Sequence, residues 1–80
     1  MKVIYNRIAE EFLTRREARI VLFEIERIYK DDVDYSDYSQ MDLNDLCDRL
    51  NEQDVYGCGT VYYIVNEDIS NSDLHKLINE

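Results

Sequence analysis

Thr14–Tyr29, TRREARIVLFEIERIY, opens with a capping signature and continues as a single apolar stripe. Thr14 and Glu17 have the spacing of a capping box, in which each side chain bonds the other's backbone amide. Behind them Ala18, Val21, Leu22, Ile25, Ile28 and Tyr29 recur at helical intervals, which predicts an amphipathic helix with those residues inward. No other stretch of the chain carries so strong a periodicity.

Working toward the N-terminus, Met1–Tyr5 reads as a short strand or extended lead-in. From Asn6 to Leu13 the apolar residues Ile8, Ala9, Phe12 and Leu13 also fall at helical spacing. At about 100° per residue their stripe lies on roughly the opposite face from the stripe beginning at Ala18. Either the chain turns at Thr14, or one long helix from Asn6 to Lys30 buries different faces in its two halves. Ile20 and Phe23 sit off the main stripe, and a helix that is apolar on two sides calls for additional cover. This suggests a homodimer or a partner surface at Ile20 and Phe23, against the plainer explanation that the helix is central in the core.

Toward the C-terminus, residues 31–41 are polar, acidic and rich in tyrosine, and read as a loop. Ser39 or Asp42 then caps a helix to about Asn51, with Leu43, Leu46, Cys47 and Leu50 inward. Residues 54–56, the turn Gly57-Cys58-Gly59 and Thr60–Asn66 read as a hairpin, because Tyr62, Tyr63, Ile64 and Val65 favour strand. Ser70 or Ser72 opens a last short helix carrying Leu74, Leu77 and Ile78. The expected architecture is α+β, three to four helices with a small antiparallel hairpin or sheet, in one domain over residues 1–80.

Eighty residues give a core of marginal size. The apolar share of 45% nevertheless argues for a folded chain despite 34% charged residues. The longest apolar run, Ile20–Phe23, is far short of the roughly 20 residues that cross a bilayer. The start lacks the basic, apolar and small-residue pattern of an export signal, so the expected compartment is the cytoplasm. Net charge is −9, unevenly spread. Residues 1–30 hold seven Lys/Arg against five Asp/Glu, whereas residues 31–80 hold two against thirteen. Such a surface repels nucleic acid and anionic membranes and attracts basic ones.

Catalytic signatures are thin. His75 is the single histidine and reads as a surface residue, and Gly57 with Gly59 lacks the third glycine and following helix of a phosphate loop. No enzymatic activity and no cofactor are expected. Cys47, Cys58 and His75 could meet around zinc, but no local spacing supports it. Asp32, Asp34 and Ser36 fall at the first three ligand positions of a calcium loop. The glycine and the closing glutamate that loop needs are replaced by Asp37 and Leu43. A metal- or calcium-dependent regulatory module is therefore an alternative, and a dimeric adaptor or antitoxin-like subunit is another. Arg15, Arg16 and Arg19 could contact phosphate, but read more simply as a solvated face paired with acidic residues of the same chain.

The acidic tyrosine segment carries the functional expectation. Asp31, Asp32, Asp34, Asp37 and Asp42 are interleaved with Tyr35 and Tyr38, and Asp45 and Asp48 continue the charge along the next helix. Asp42, Asp45, Asp48 and Glu52 form one ridge at helical spacing. Carboxylates on a rigid surface imitate a phosphate row, and tyrosines add contact area at small entropic cost. A merely solubilising stretch has no need of aromatic residues.

In size, charge and its Asp/Tyr-rich segment 31–42, the chain resembles the small acidic inhibitors that phages and mobile elements direct against host defence, anti-CRISPR proteins and anti-restriction DNA mimics. The resemblance implies a non-catalytic inhibitor that occupies the nucleic-acid channel of a CRISPR effector or restriction enzyme, in the host cytosol.

Overall fold

Asn6 turns the chain before any helix can begin. Its side-chain oxygen accepts the backbone N–H groups of Ile8 and Ala9 at 2.9 and 3.0 Å, and Glu10 follows in the left-handed region at φ 56°. The result is a hairpin of β1 (Lys2–Asn6) and β2 (Glu11–Leu13), antiparallel, with Ile4 opposite Leu13 and Tyr5 opposite Phe12. The helical spacing of Ile8, Ala9, Phe12 and Leu13 thus does not produce a helix. Ile8 and Ala9 occupy an exposed turn, while Phe12 and Leu13 point to opposite sides of a strand.

The computed structural model describes residues 1–29, 34–53, 56–57 and 59–79. After the hairpin come α1 (Arg15–Tyr29), a 3₁₀ turn (Tyr35–Tyr38), α2 (Leu43–Gln53), β3 (Tyr62–Asn66) and α3 (Asn71–Ile78). The fold is α+β, with a three-stranded antiparallel sheet in the order β2-β1-β3.

Each described helix start follows from a polar cap. Thr14 and Glu17 exchange backbone-to-side-chain bonds of 3.0 and 3.2 Å, so the chain does turn at Thr14 and α1 begins there. Asp42 accepts the Asp45 amide at 2.9 Å to open α2, and Ser70 accepts the Asp73 amide at 3.2 Å to open α3.

The sheet has a helix layer on each side. Ile4, Leu13 and Tyr62 face α1 and α2, whose Ala18, Leu22, Leu46, Cys47 and Leu50 close the larger core. Val3, Tyr5 and Val65 face the other way, onto Leu74 of α3. Ile4, Leu22, Leu46 and Leu50 are essentially inaccessible, and burying each such side chain contributes about 1.5–3 kcal/mol. The inward stripe predicted for α1 is followed as far as Ile25. Ile28, at 74% exposed, leaves it.

Strand β3 forms where sequence predicts it, but its partner is β1, with Ile4 opposite Ile64 and Tyr5 opposite Tyr63. Of the expected hairpin, Asp54, Val55 and Cys58 lie outside the described residues, while Tyr56 and Gly57 form a turn rather than a strand. Gly57 and Gly59 have φ of 67° and 81°, where a side chain would be strained. The beginning of β3 is held by Asn51 of α2, whose side-chain oxygen accepts the Val61 and Tyr62 amides at 3.0 and 2.9 Å. Its amide nitrogen donates to the Tyr62 carbonyl at 3.0 Å. One side chain thereby replaces a neighbouring strand.

Candidate protein-binding surface

Helix α2 projects Asp45, Asp48, Arg49 and Glu52 on one face, since these positions are three, four and seven residues apart. Together with Asp37 from the 3₁₀ turn and Met41 they line a shallow groove. Asp37, Asp45, Asp48 and Glu52 are exposed, so four carboxylates rim it. Arg49 sits among them, but its Nη2 lies 2.5 and 2.6 Å from the two carboxylate oxygens of Glu26. That bond raises the Arg49 pKa above its usual range, and its charge is spent on a buried partner. The groove is therefore negative in effect as well as in composition.

Glu26 is 2% exposed and also accepts a bond of 3.0 Å from the hydroxyl of Tyr38. Tyr38 is itself only 4% exposed. This corrects its expected role as a surface contact: it is a core residue that latches the 3₁₀ turn to α1. Burial pushes its phenol up to about 12, and the neighbouring Glu26 carboxylate acts in the same direction. Phe23 packs edge-on against Tyr35 and Tyr38, with ring centroids 5.5 and 6.1 Å apart. The off-stripe position of Phe23 thus has an explanation within the chain, whereas Ile20 is exposed.

The remaining sequence-selected residues divide. Asp37, Asp45 and Asp48 share the groove. Tyr35 stands beside them in the 3₁₀ turn with 38% of its surface exposed. Asp34 caps that turn by accepting the Ser36 amide at 3.0 Å, which lowers its pKa. Asp42, occupied in capping α2, lines a different hollow with Lys2, Arg15, Leu43, Asn44 and Ile64. Asp31 and Asp32 lie outside the described residues, and with Asp32 so does the first ligand position of the calcium loop considered from sequence. Arg15 donates to the carbonyls of Met41 and Ser39 at 2.9 and 3.4 Å, fastening the start of α1 to the approach of α2. It meets backbone oxygens rather than the carboxylates expected.

Sequence reasoning missed Glu26 and Arg49, which fix the groove from below. The available signal was Glu26 itself, four residues after Leu22 and eight after Ala18, a carboxylate on the inward stripe. Cys47 lies in the core under α2, and burial pushes its thiol up to about 11. His75 is exposed on α3 across the sheet, so the two do not converge, and Cys58 is outside the described residues. Among the described residues no group of three or more His, Cys, Asp or Glu side chains is arranged to hold a metal ion. No helix among them is long and apolar enough to cross a membrane. Comparison with protein-family models, with curated proteins and with solved structures returned no match.

Proposed function

We propose that the protein is a non-catalytic inhibitor that docks the α2 groove onto the basic, nucleic-acid-binding surface of a target protein. The observation that carries this reading is the rim of Asp37, Asp45, Asp48 and Glu52 around a cation already neutralised by Glu26. Along α2 the carboxylates of Asp45, Asp48 and Glu52 rise by about 4.5 and 6 Å. This is of the same order as phosphates on one DNA strand, which climb about 3.4 Å each. Lysines and arginines spaced for a phosphate backbone would meet carboxylates at a comparable interval, presented on a rigid element. Tyr35 adds a half-exposed ring beside the groove. By class resemblance the first targets to try are CRISPR effectors and restriction enzymes.

The test is competition. A target captured by this protein is titrated with its own DNA or RNA, and nucleic acid and protein are expected to exclude each other. Simultaneous binding without interference rejects the mechanism.

A further inference from the structure

We propose that α3 is a detachable cover: residues 69–79 melt and leave the sheet as one unit, while the hairpin, β3, α1 and α2 stay folded. The two sides of the sheet are fastened differently. On the side of the larger core, polar side chains bridge the elements. Glu26 of α1 is bound by Arg49 of α2 and by Tyr38 of the 3₁₀ turn, and Asn51 of α2 holds the Val61 and Tyr62 amides. Across the sheet α3 has nothing comparable. Its bonds, from the Asp73 amide to Ser70 and from Asn79 to the His75 carbonyl, stay within residues 70–79. Among the described residues no hydrogen bond or ion pair joins that stretch to the rest of the molecule.

What holds α3 is apolar contact alone. Leu74 is its buried residue, against Val3, Tyr5 and Val65, and Leu77 and Ile78 are half-buried beside it. A hollow of about 400 Å³ lies between the helix and the β1–β2 turn, lined by Tyr5, Glu10, Leu74, His75 and Ile78. The eight residues of α3 are also fewer than the roughly 12–15 that an isolated helix needs in water, so it is helical only while docked. Detachment and melting are therefore one event. Segments with few buried apolar contacts open at lower free energy than the body that carries them.

The strands set the boundary of the unit. The Glu67 amide donates to the Met1 carbonyl at 3.0 Å and closes the β1–β3 ladder. The next bond outward, from the Ile69 amide to the Asn66 carbonyl at 3.1 Å, is a turn within one stretch of chain. Opening thus runs from Ile69 onward and leaves both strands paired. It bares Val3, Tyr5 and Val65 and joins them to the exposed Phe12, whose ring lies against Tyr5. The acidic groove belongs to α2, on the other side of the sheet, and is unchanged, so the cover is independent of the proposed function.

Native-state hydrogen exchange on the full chain tests this. Relative to unfolded rates, amides of α3 should exchange about 100-fold faster than those of β1 and α1. Below the main transition their exchange should depend little on urea, because the opening exposes little surface. Ile4→Val thins the larger core and separates the two openings. Exchange in β1 and α1 should quicken about fivefold while α3 keeps its wild-type rate. Leu74→Asp should hold the chain open, with α3 exchanging as free coil and the strands and other helices still protected. That variant should also bind more of an apolar-surface dye such as anilinonaphthalenesulfonate. The proposal is overturned if α3 shares the protection and urea dependence of β1, or if Ile4→Val quickens all amides alike. A Leu74→Asp chain that unfolds throughout overturns it too, since the rest must stand without α3.

Discussion

Glu26 of α1 and Arg49 of α2 form an ion pair in which the carboxylate is inaccessible while the guanidinium reaches the acidic groove. The pair joins the two helices that cover the sheet, and Tyr38 brings the 3₁₀ turn to the same carboxylate. Removing one partner of such a pair leaves a charge without its counter-ion. Arg49→Met is therefore expected to cost about 3 kcal/mol, because the Glu26 carboxylate stays buried. Glu26→Gln should cost less, about 1 kcal/mol, since an amide oxygen still accepts from Tyr38 and Arg49. The double variant should recover at least half of the Arg49→Met loss. Urea midpoints of the three proteins at neutral pH decide it, and additive losses would show that the two residues are not coupled.

Alkaline pH should loosen the same region. An unfolded tyrosine titrates near 10 and a cysteine near about 8.5. Burial raises Tyr38 to about 12 and Cys47 to about 11, so both groups stay neutral in the fold after they would ionise in the unfolded chain. Their contribution is complete below the unfolded values and is lost as pH rises through the folded ones. Stability should accordingly fall from about pH 9 upward. Tyr38→Phe and Cys47→Ala should each flatten part of that decline when urea midpoints are compared at pH 8 and pH 11. Unchanged slopes in both variants would assign the alkaline loss to other groups.

The Asn51 contact predicts two consequences of one substitution. Asn51→Ala deprives the Val61 and Tyr62 amides of their acceptor and should destabilise the fold by about 2–3 kcal/mol. It also unplugs the β3 edge, so light scattering should detect assemblies larger than the wild-type species. Asn51→Asp keeps the acceptor and loses the donor to Tyr62, and should fall between the two. An Asn51→Ala protein of wild-type stability would mean that water replaces the side chain without cost.

Local pattern was enough for the helices and strands whose caps and faces lie within a few residues. Thr14 with Glu17 is legible along the chain and α1 follows from it, while Asp42 and Ser70 are each one of two candidate caps for α2 and α3. The hairpin was not legible, because Ile8, Ala9, Phe12 and Leu13 satisfy helical spacing while Asn6 spends its side chain on a turn. Nor was the β1–β3 pairing, which joins residues some sixty positions apart through contacts that leave no local trace. Within the candidate site, the exposure of Asp45 and Asp48 followed from helix periodicity, and that of Asp37 from its place in the polar, acidic segment. The burial of Tyr38 did not, since its partner Glu26 is supplied by another helix.

That burial changes how the favoured function must be tested. Tyr38→Ala would remove a core ring and the Glu26 hydrogen bond, so a loss of binding in that variant would report unfolding. Reversal of Asp45, Asp48 and Glu52 to lysine acts on exposed positions of one helix face and should leave the melting temperature within a few degrees of wild type. Target binding should fall by about 100-fold or more, because each reversal replaces an attraction by a repulsion against a basic surface. Wild-type binding should weaken between low and moderate salt, where the screening length shrinks to about 10 Å. Tyr35→Ala should leave the association rate nearly unchanged and speed dissociation, as a short-range contact does. Surface plasmon resonance at two salt concentrations separates these effects. Full binding by the triple reversal would place the partner elsewhere on the molecule.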